Sequence, residues 1–117
     1  MHSKEPEIIV SQARNEFRRG TLVLAVLSSL QRKHHGYRLR KLLARHGLDI
    51  EDGTLYPLLR RLESRGLLKG ERDEEGGHRK LVYRLSQKGR EYLSALTAEW
   101  ERTTALLAEL LQRAGSL

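Results

Sequence analysis

The chain has 117 residues, enough for one small domain with an appended helix. It contains no cysteine, which excludes disulfides and thiolate metal sites and fits a reducing, cytoplasmic setting. Against 15 Asp and Glu stand 22 Lys and Arg, a formal charge of +7 that favours a polyanionic partner.

The first residues, Met1 to Glu7, are polar and include Pro6, unlike a signal peptide. Residues 1–6 read as a disordered lead. Ile9, Ala13 and Phe17, with Val10 nearby, then make a narrow apolar stripe over Glu7 to Arg19, which predicts a short amphipathic helix. A solitary helix of that length is marginal in water and needs something to pack on. From Gly20 to Leu30 the chain is apolar almost all round, as expected of a second helix buried at the centre of a small domain. Its β-branched part is compatible with a strand, but the distance to Leu30 favours a helix. The longest apolar run, Leu22 to Leu27, is too short to cross a bilayer, so no membrane partner is expected.

After a polar break at Gln31 to His35, the pattern predicts a helix over Gly36 to His46. Leu39, Leu42 and Leu43 face inward, Arg38, Lys41 and Arg45 face solvent, and Gly47 ends it. A short link leads to the stretch from Asp52 to Gly66. There Leu55, Leu58, Leu59 and Leu62 recur at i, i+3, i+4 and i+7, while Thr54, Pro57 and Arg61 share the opposite side with Tyr56 and Arg60 beside them. Asp52 is a candidate N-cap, Gly66 suits a C-terminal residue of positive φ, and Pro57 is tolerated only near a first turn. Three helices with tight turns make the core of a helix-turn-helix.

Past Gly66 the period changes. Leu67 to Arg72 is a plausible strand, and Asp73 to His78 is turn chemistry. In Lys80 to Leu85 strict alternation places Leu81, Tyr83 and Leu85 on one face and Lys80, Val82 and Arg84 on the other. A hairpin placed directly after a third helix is a wing. From Ser86, a candidate N-cap, one long helix reads to about Arg113, with Leu93, Leu96, Trp100, Thr103, Leu107 and Leu110 on a heptad seam that Leu106 and Leu111 widen. No other element remains to cover that seam, so a second subunit and the N-terminal helix are its expected partners.

The fold expected is therefore mainly α with a small β-hairpin wing, a winged helix-turn-helix followed by a long dimerisation helix. Its divisions are residues 1–19 (tail and short helix at the dimer interface), 20–85 (DNA-binding domain) and 86–117 (dimerisation helix). Charge divides along the same lines. Residues 31–65 carry nine Lys and Arg against four Asp and Glu, whereas residues 91–117 carry two against four. The basic surface is central.

These residues resemble the PadR family of winged-helix transcriptional regulators, in its short form with one C-terminal helix. The motifs carrying the likeness are Gly20-Thr21-Leu22, His35-Gly36-Tyr37, and Gly53-Thr54-Leu55-Tyr56-Pro57 followed by Arg61-Leu62-Glu63 and Gly66-Leu67. They continue as Arg79-Lys80 before Tyr83, Lys88-Gly89-Arg90 before Leu93, and Trp100. The resemblance implies a homodimer bound to a pseudo-palindromic operator in double-stranded DNA, usually as a repressor and often released by a small molecule. It places Thr54, Tyr56, Pro57, Arg60 and Arg61 on the DNA side of the third helix, Tyr37 on the second helix near the backbone, and Arg79 and Lys80 in the wing. Arg38, Lys41 and Arg45 suit phosphate contact or an ordinary solvated face equally well. Many relatives carry a tryptophan in the first wing strand near Glu71, and this chain does not.

Phe17, Leu93, Leu96, Trp100, Leu107 and Leu110 are the expected dimerisation residues. Trp100 also suits the floor of a pocket for a flat apolar or aromatic effector. His34 and His35 have no third ligand in view, so no metal is expected, and no cofactor either. The chain has no phosphate-binding glycine loop and no H-E-x-x-H or G-x-S-x-G string, so no enzymatic activity is expected. The competing reading is a dimeric module that binds protein or sequesters a small ligand, with DNA contact secondary.

Overall fold

A computed structural model describes residues 4–73 and 80–116. The first helix, α1 (Glu5–Ser29), is continuous where the sequence predicts two helices separated at Gly20. Pro6 lies in its first turn, where a missing N–H costs nothing. Gly20 interrupts neither half, because one glycine costs about 1 kcal/mol and the buried C-terminal turns offset it. Val26 and Leu27 are fully buried, with Leu22, Val23 and Ala25 packed around them. The helix begins at Glu5, inside the stretch expected to be a disordered lead.

The expected break at residues 31–35 contains a two-residue strand, β1 (His34–His35), which leads directly into α2 (Gly36–Arg45). After a short turn comes α3 (Asp52–Ser64), then β2 (Leu68–Asp73), β3 (Lys80–Leu85) and α4 (Gln87–Ser116). The three strands form one antiparallel sheet in the order β1-β3-β2, with His34 opposite Tyr83 and Gly70 opposite Tyr83 on the other side. The turn expected at Asp73 to His78 lies, apart from Asp73, outside the described residues.

Both short helices end in the same way. Gly47 (φ 89°) and Gly66 (φ 78°) are the positive-φ residues of the described chain. Gly47 N–H donates to Ala44 O and Leu48 N–H to Leu43 O at 2.8 Å; Gly66 N–H donates to Glu63 O and Leu67 N–H to Leu62 O at 2.9 Å. These paired bonds satisfy carbonyls that a helix end otherwise leaves open. The start of α3 departs from expectation. Asp52 is its first residue and not its cap; Glu51 holds the cap position and makes no side-chain cap bond. Pro57 sits inside the helix, in its second turn, so the bond its N–H would make to the Gly53 carbonyl is missing.

Leu55, Leu58, Leu59 and Leu62 of α3 are all buried, as their spacing requires, against Leu27, Leu30, Leu39 and Leu43. In β3 the alternation holds only in part. Tyr83 and Leu85 are buried, but Leu81 is 45% exposed and Val82 is buried on the opposite face. Val82 lies in the central strand, between His35 of β1 and Glu71 of β2.

The base of the wing is tied to α4 through Ser86. Its N–H donates to Leu67 O at 3.1 Å, its Oγ donates to Gly66 O, and the same Oγ accepts from Gly89 N–H at 2.9 Å, the N-cap bond expected of it. Lys88 Nζ donates to Arg65 O at 3.0 Å. The end of α3 and the start of α4 are thereby one unit.

Candidate nucleic-acid interface

The outer side of α3 has its polar residues in reach of solvent. Thr54, Arg60 and Arg61 are exposed, and Pro57 is half-buried between them. Tyr56 leans sideways. Its ring lies against the backbone of Gly36, so close that a Cβ there would meet Tyr56 Cε1, and it packs on the hydrophobic core. That contact gives a physical reason for glycine between His35 and Tyr37.

Tyr56 also forms one wall of an open groove of about 820 Å³ between α2 and the sheet. Tyr37, Arg38, Lys41 and Arg45 of α2 form the facing wall, with His34, His35, Leu81 and Tyr83 along the sheet side. Lys41 Nζ stands 4.6 Å from the centre of the Tyr37 ring, a cation–π contact that holds both side chains at the rim. Tyr37 is 60% exposed and not part of the core. Three cations on one wall make a surface suited to phosphate.

The groove perturbs two of its titratable groups. Burial lowers the pKa of His34, and the guanidinium groups of Arg38 and Arg32 and the neighbouring His35 lower it further. Burial raises the pKa of Tyr83, reinforced by the Glu63 carboxylate and opposed by Arg60. Nδ1 of His35 is buried without a hydrogen-bond partner.

Of the expected DNA-facing residues, the structure gathers Tyr37, Arg38, Lys41 and Tyr56 on one groove and sets Thr54, Arg60 and Arg61 on the exposed side of α3. Arg79 lies outside the described residues, and of Lys80 only the backbone is described, opposite Asp73. In the first wing strand Glu71 accepts from Arg84 Nη2 at 3.0 Å, an ion pair on the wing. Arg40 and Gly70 make contacts that no local pattern marks, and Glu63, legible in the sequence only within a family motif, meets Gly70. The Glu63 carboxylate rests on the Gly70 backbone, where any Cβ would displace it.

Leu93 and Leu96 of the expected dimer seam pack partly on the core of their own chain. Trp100, Leu106, Leu107, Leu110 and Leu111 further along α4 remain exposed, as do Ile8, Ile9, Val10 and Phe17 of α1. No group of residues suited to holding a metal ion occurs among the described residues, and none of their helices is long and apolar enough to cross a membrane.

Residues 23–95 match the family model described as the transcriptional regulator PadR-like family. The transcriptional regulator Rv3488 of Mycobacterium tuberculosis is 38% identical over 97 residues, covering 82% of this chain and 88% of its own. A PadR family transcriptional regulator from Eggerthella lenta superposes with a TM-score of 0.88 at 44% identity, over 93% of this chain and 97% of that one. A PadR-like transcriptional regulator from Bacillus cereus gives 0.76 at 27% identity, over 83% and 97%.

Proposed function

The chain belongs to the PadR-like family of transcriptional regulators, a family of DNA-binding winged-helix proteins and not of enzymes; from that premise we propose that it is a cytoplasmic, homodimeric repressor of a pseudo-palindromic operator. The observation that carries the DNA-facing assignment is the meeting of two surfaces at Tyr56. The exposed side of α3 offers Thr54, Arg60 and Arg61, and the adjoining groove offers Tyr37, Arg38 and Lys41. In this reading α3 enters the major groove, where an arginine fork matches guanine O6 and N7. The α2 wall and Lys80, together with Arg79, hold the phosphates that fix its register.

The homodimer is supported by area. A folded chain of 13.5 kDa exposes about 6,500 Å², whereas this one exposes 9277 Å². Ile8, Ile9, Val10 and Phe17 of α1 and Trp100, Leu106, Leu107, Leu110 and Leu111 of α4 are among the exposed residues, and stable interfaces remove about 800 Å² or more per partner. Phe17, Trp100, Leu107 and Leu110 are the residues that a second copy would cover, with Leu93 and Leu96 at the domain end of the seam. Trp100, at the middle of α4, is the floor proposed for an apolar or aromatic effector held between the copies.

Selection of bound duplexes from a random pool tests the function. The expected outcome is a symmetric motif whose half-sites lie about 34 Å apart, one helical turn. Affinity for it should fall with salt at a slope near −0.9 per phosphate neutralised. Arg61→Ala should weaken binding by about 1–3 kcal/mol and relax one base position if Arg61 reads a base. A pool that yields no motif, bound with no dependence on salt, refutes the proposal and leaves the protein-binding alternative.

A further inference from the structure

Arg40 stands apart from the other cations of α2. Arg38, Lys41 and Arg45 line the groove, but Arg40 does not. Its Nε donates to the carbonyl of Ile50 at 3.1 Å, and its Nη1 lies 3.1 Å from Asp52 Oδ1. One guanidinium therefore spans the turn between α2 and α3, gripping both the turn backbone and the first residue of α3. This answers the missing cap. Glu51 provides no side-chain bond to the start of α3, and the carboxylate suited to local capping is directed across to α2.

We infer that the Arg40–Asp52 pair is a positioning device that sets the angle of α3 on α2, and thereby sequence selectivity, without touching DNA. The inference rests on the DNA-binding reading above. Its physical basis is leverage. Arg61 lies nine residues beyond Asp52, about 13 Å along the helix. A 10° tilt at the start of α3 displaces Arg61 by about 2 Å, more than a base-edge hydrogen bond tolerates. Phosphate contacts are long-range and lose little from such a shift. Both partners are partly open to solvent, at 38% and 59% of their side-chain surface, so the pair adds little to global stability and its effect is geometric.

This predicts a sign that electrostatics alone does not. Asp52→Asn removes a negative charge beside a surface meant for DNA, so charge alone makes every duplex bind more tightly. Positioning makes the selected operator bind more weakly, by about tenfold, the scale of one lost base contact. The test measures binding of the full-length wild type, Asp52→Asn, Arg40→Lys, Arg40→Gln and the Arg40→Gln/Asp52→Asn double variant to the selected operator and to an unrelated duplex of equal length. Fluorescence anisotropy over a salt series supplies the affinities, and circular dichroism verifies the fold.

Asp52→Asn should lose operator affinity and keep or gain affinity for the unrelated duplex. Arg40→Lys retains the charge but not the fork, so it should lose selectivity with an unchanged salt slope. The double variant should be no worse than Arg40→Gln, because both remove one coupling. Operator binding by Asp52→Asn as tight as wild type or tighter overturns the inference. So does an Arg40→Gln that weakens both duplexes equally and lowers the salt slope by about one phosphate, which marks direct contact. A wild type that does not distinguish the two duplexes refutes the regulator reading itself, and this inference with it.

Discussion

Replacing Gly89 by alanine sets two effects against each other whose magnitudes the structure decides. Gly89 is the third residue of α4, and in a solvated helix the change stabilises by about 0.8–1.0 kcal/mol. Here a Cβ would run into the carbonyl oxygen of Leu67 and lie 3.2 Å from Leu85 Cδ2. The oxygen cannot retreat freely. It accepts from Ser86 N–H, and Leu67 N–H is held by Leu62 O in the turn that closes α3. Overpacking against a fixed backbone costs about 1–3 kcal/mol, and the strained Ser86 bond adds about 1 kcal/mol. The net expectation is destabilisation by about 1–3 kcal/mol. Urea unfolding at fixed protein concentration should show a lower midpoint with unchanged slope. In heat the midpoint should fall by roughly 4 °C per kcal/mol. Gly20 provides the comparison, because nothing lies within 4 Å of a Cβ there and Gly20→Ala should show the bare propensity gain. A Gly89→Ala protein as stable as wild type would refute the view that α4 is seated on the Leu67 backbone.

Three further outcomes are expected. At Gly36 the obstacle to a Cβ is the Tyr56 ring, which packs on the core, so Gly36→Ala should destabilise by about 1–3 kcal/mol and, in the folded protein, weaken DNA binding; undiminished binding would show that Tyr56 has no part in the interface. His34 has a lowered folded pKa, so on acidification the unfolded chain takes up its proton first, near pH 6.5, and stability falls as pH drops below that value. Unfolding midpoints at pH 7.5 and 5.5 should therefore converge in His34→Gln relative to wild type, and an equal drop in both proteins would count against this origin. Leu107→Asp places a charge in the proposed seam and should sediment as a monomer at micromolar concentration, whereas a persistent dimer would locate the interface elsewhere.

What the sequence disclosed and what it withheld follow from the range of the interactions involved. The leucine spacing of α3, the glycines that close α2 and α3, and the Ser86 cap depend on residues within a turn of one another, and each lies where its pattern places it. The continuity of α1 through Gly20 depends on burial at its far end, which no local signal reports. β1 is too short to have a period, and its pairing with β3, which makes β3 the central strand, joins residues distant in sequence. Asp52 has the chemistry of a cap, and only the arrival of Arg40 from twelve residues upstream diverts it. The candidate site divides similarly. Arg60 and Arg61 are legible as the open side of an amphipathic helix, but Glu63 on Gly70, and the groove that joins Tyr56 to Tyr37, exist only after the sheet has folded.

The two ends of α3 are held by different parts of the chain, and this bears on how the protein could be regulated. Arg40 grips the start, while at the other end Ser86 and Lys88 bind the carbonyls of Gly66, Leu67 and Arg65 directly from the first turn of α4. Among the described residues these bonds join the end of α3 directly to the start of the proposed dimer helix. In the proposed dimer, the spacing of the two α3 helices is therefore set by how the two α4 helices cross. A ligand lodged at Trp100 would act at that crossing, about 20 Å along α4 from Ser86. A change of 5° there displaces each winged domain by about 2 Å, more than a base-edge hydrogen bond tolerates. Such a ligand needs no path through the domain core. It needs only to prefer one crossing over the other, and its effect on operator affinity is bounded by that preference.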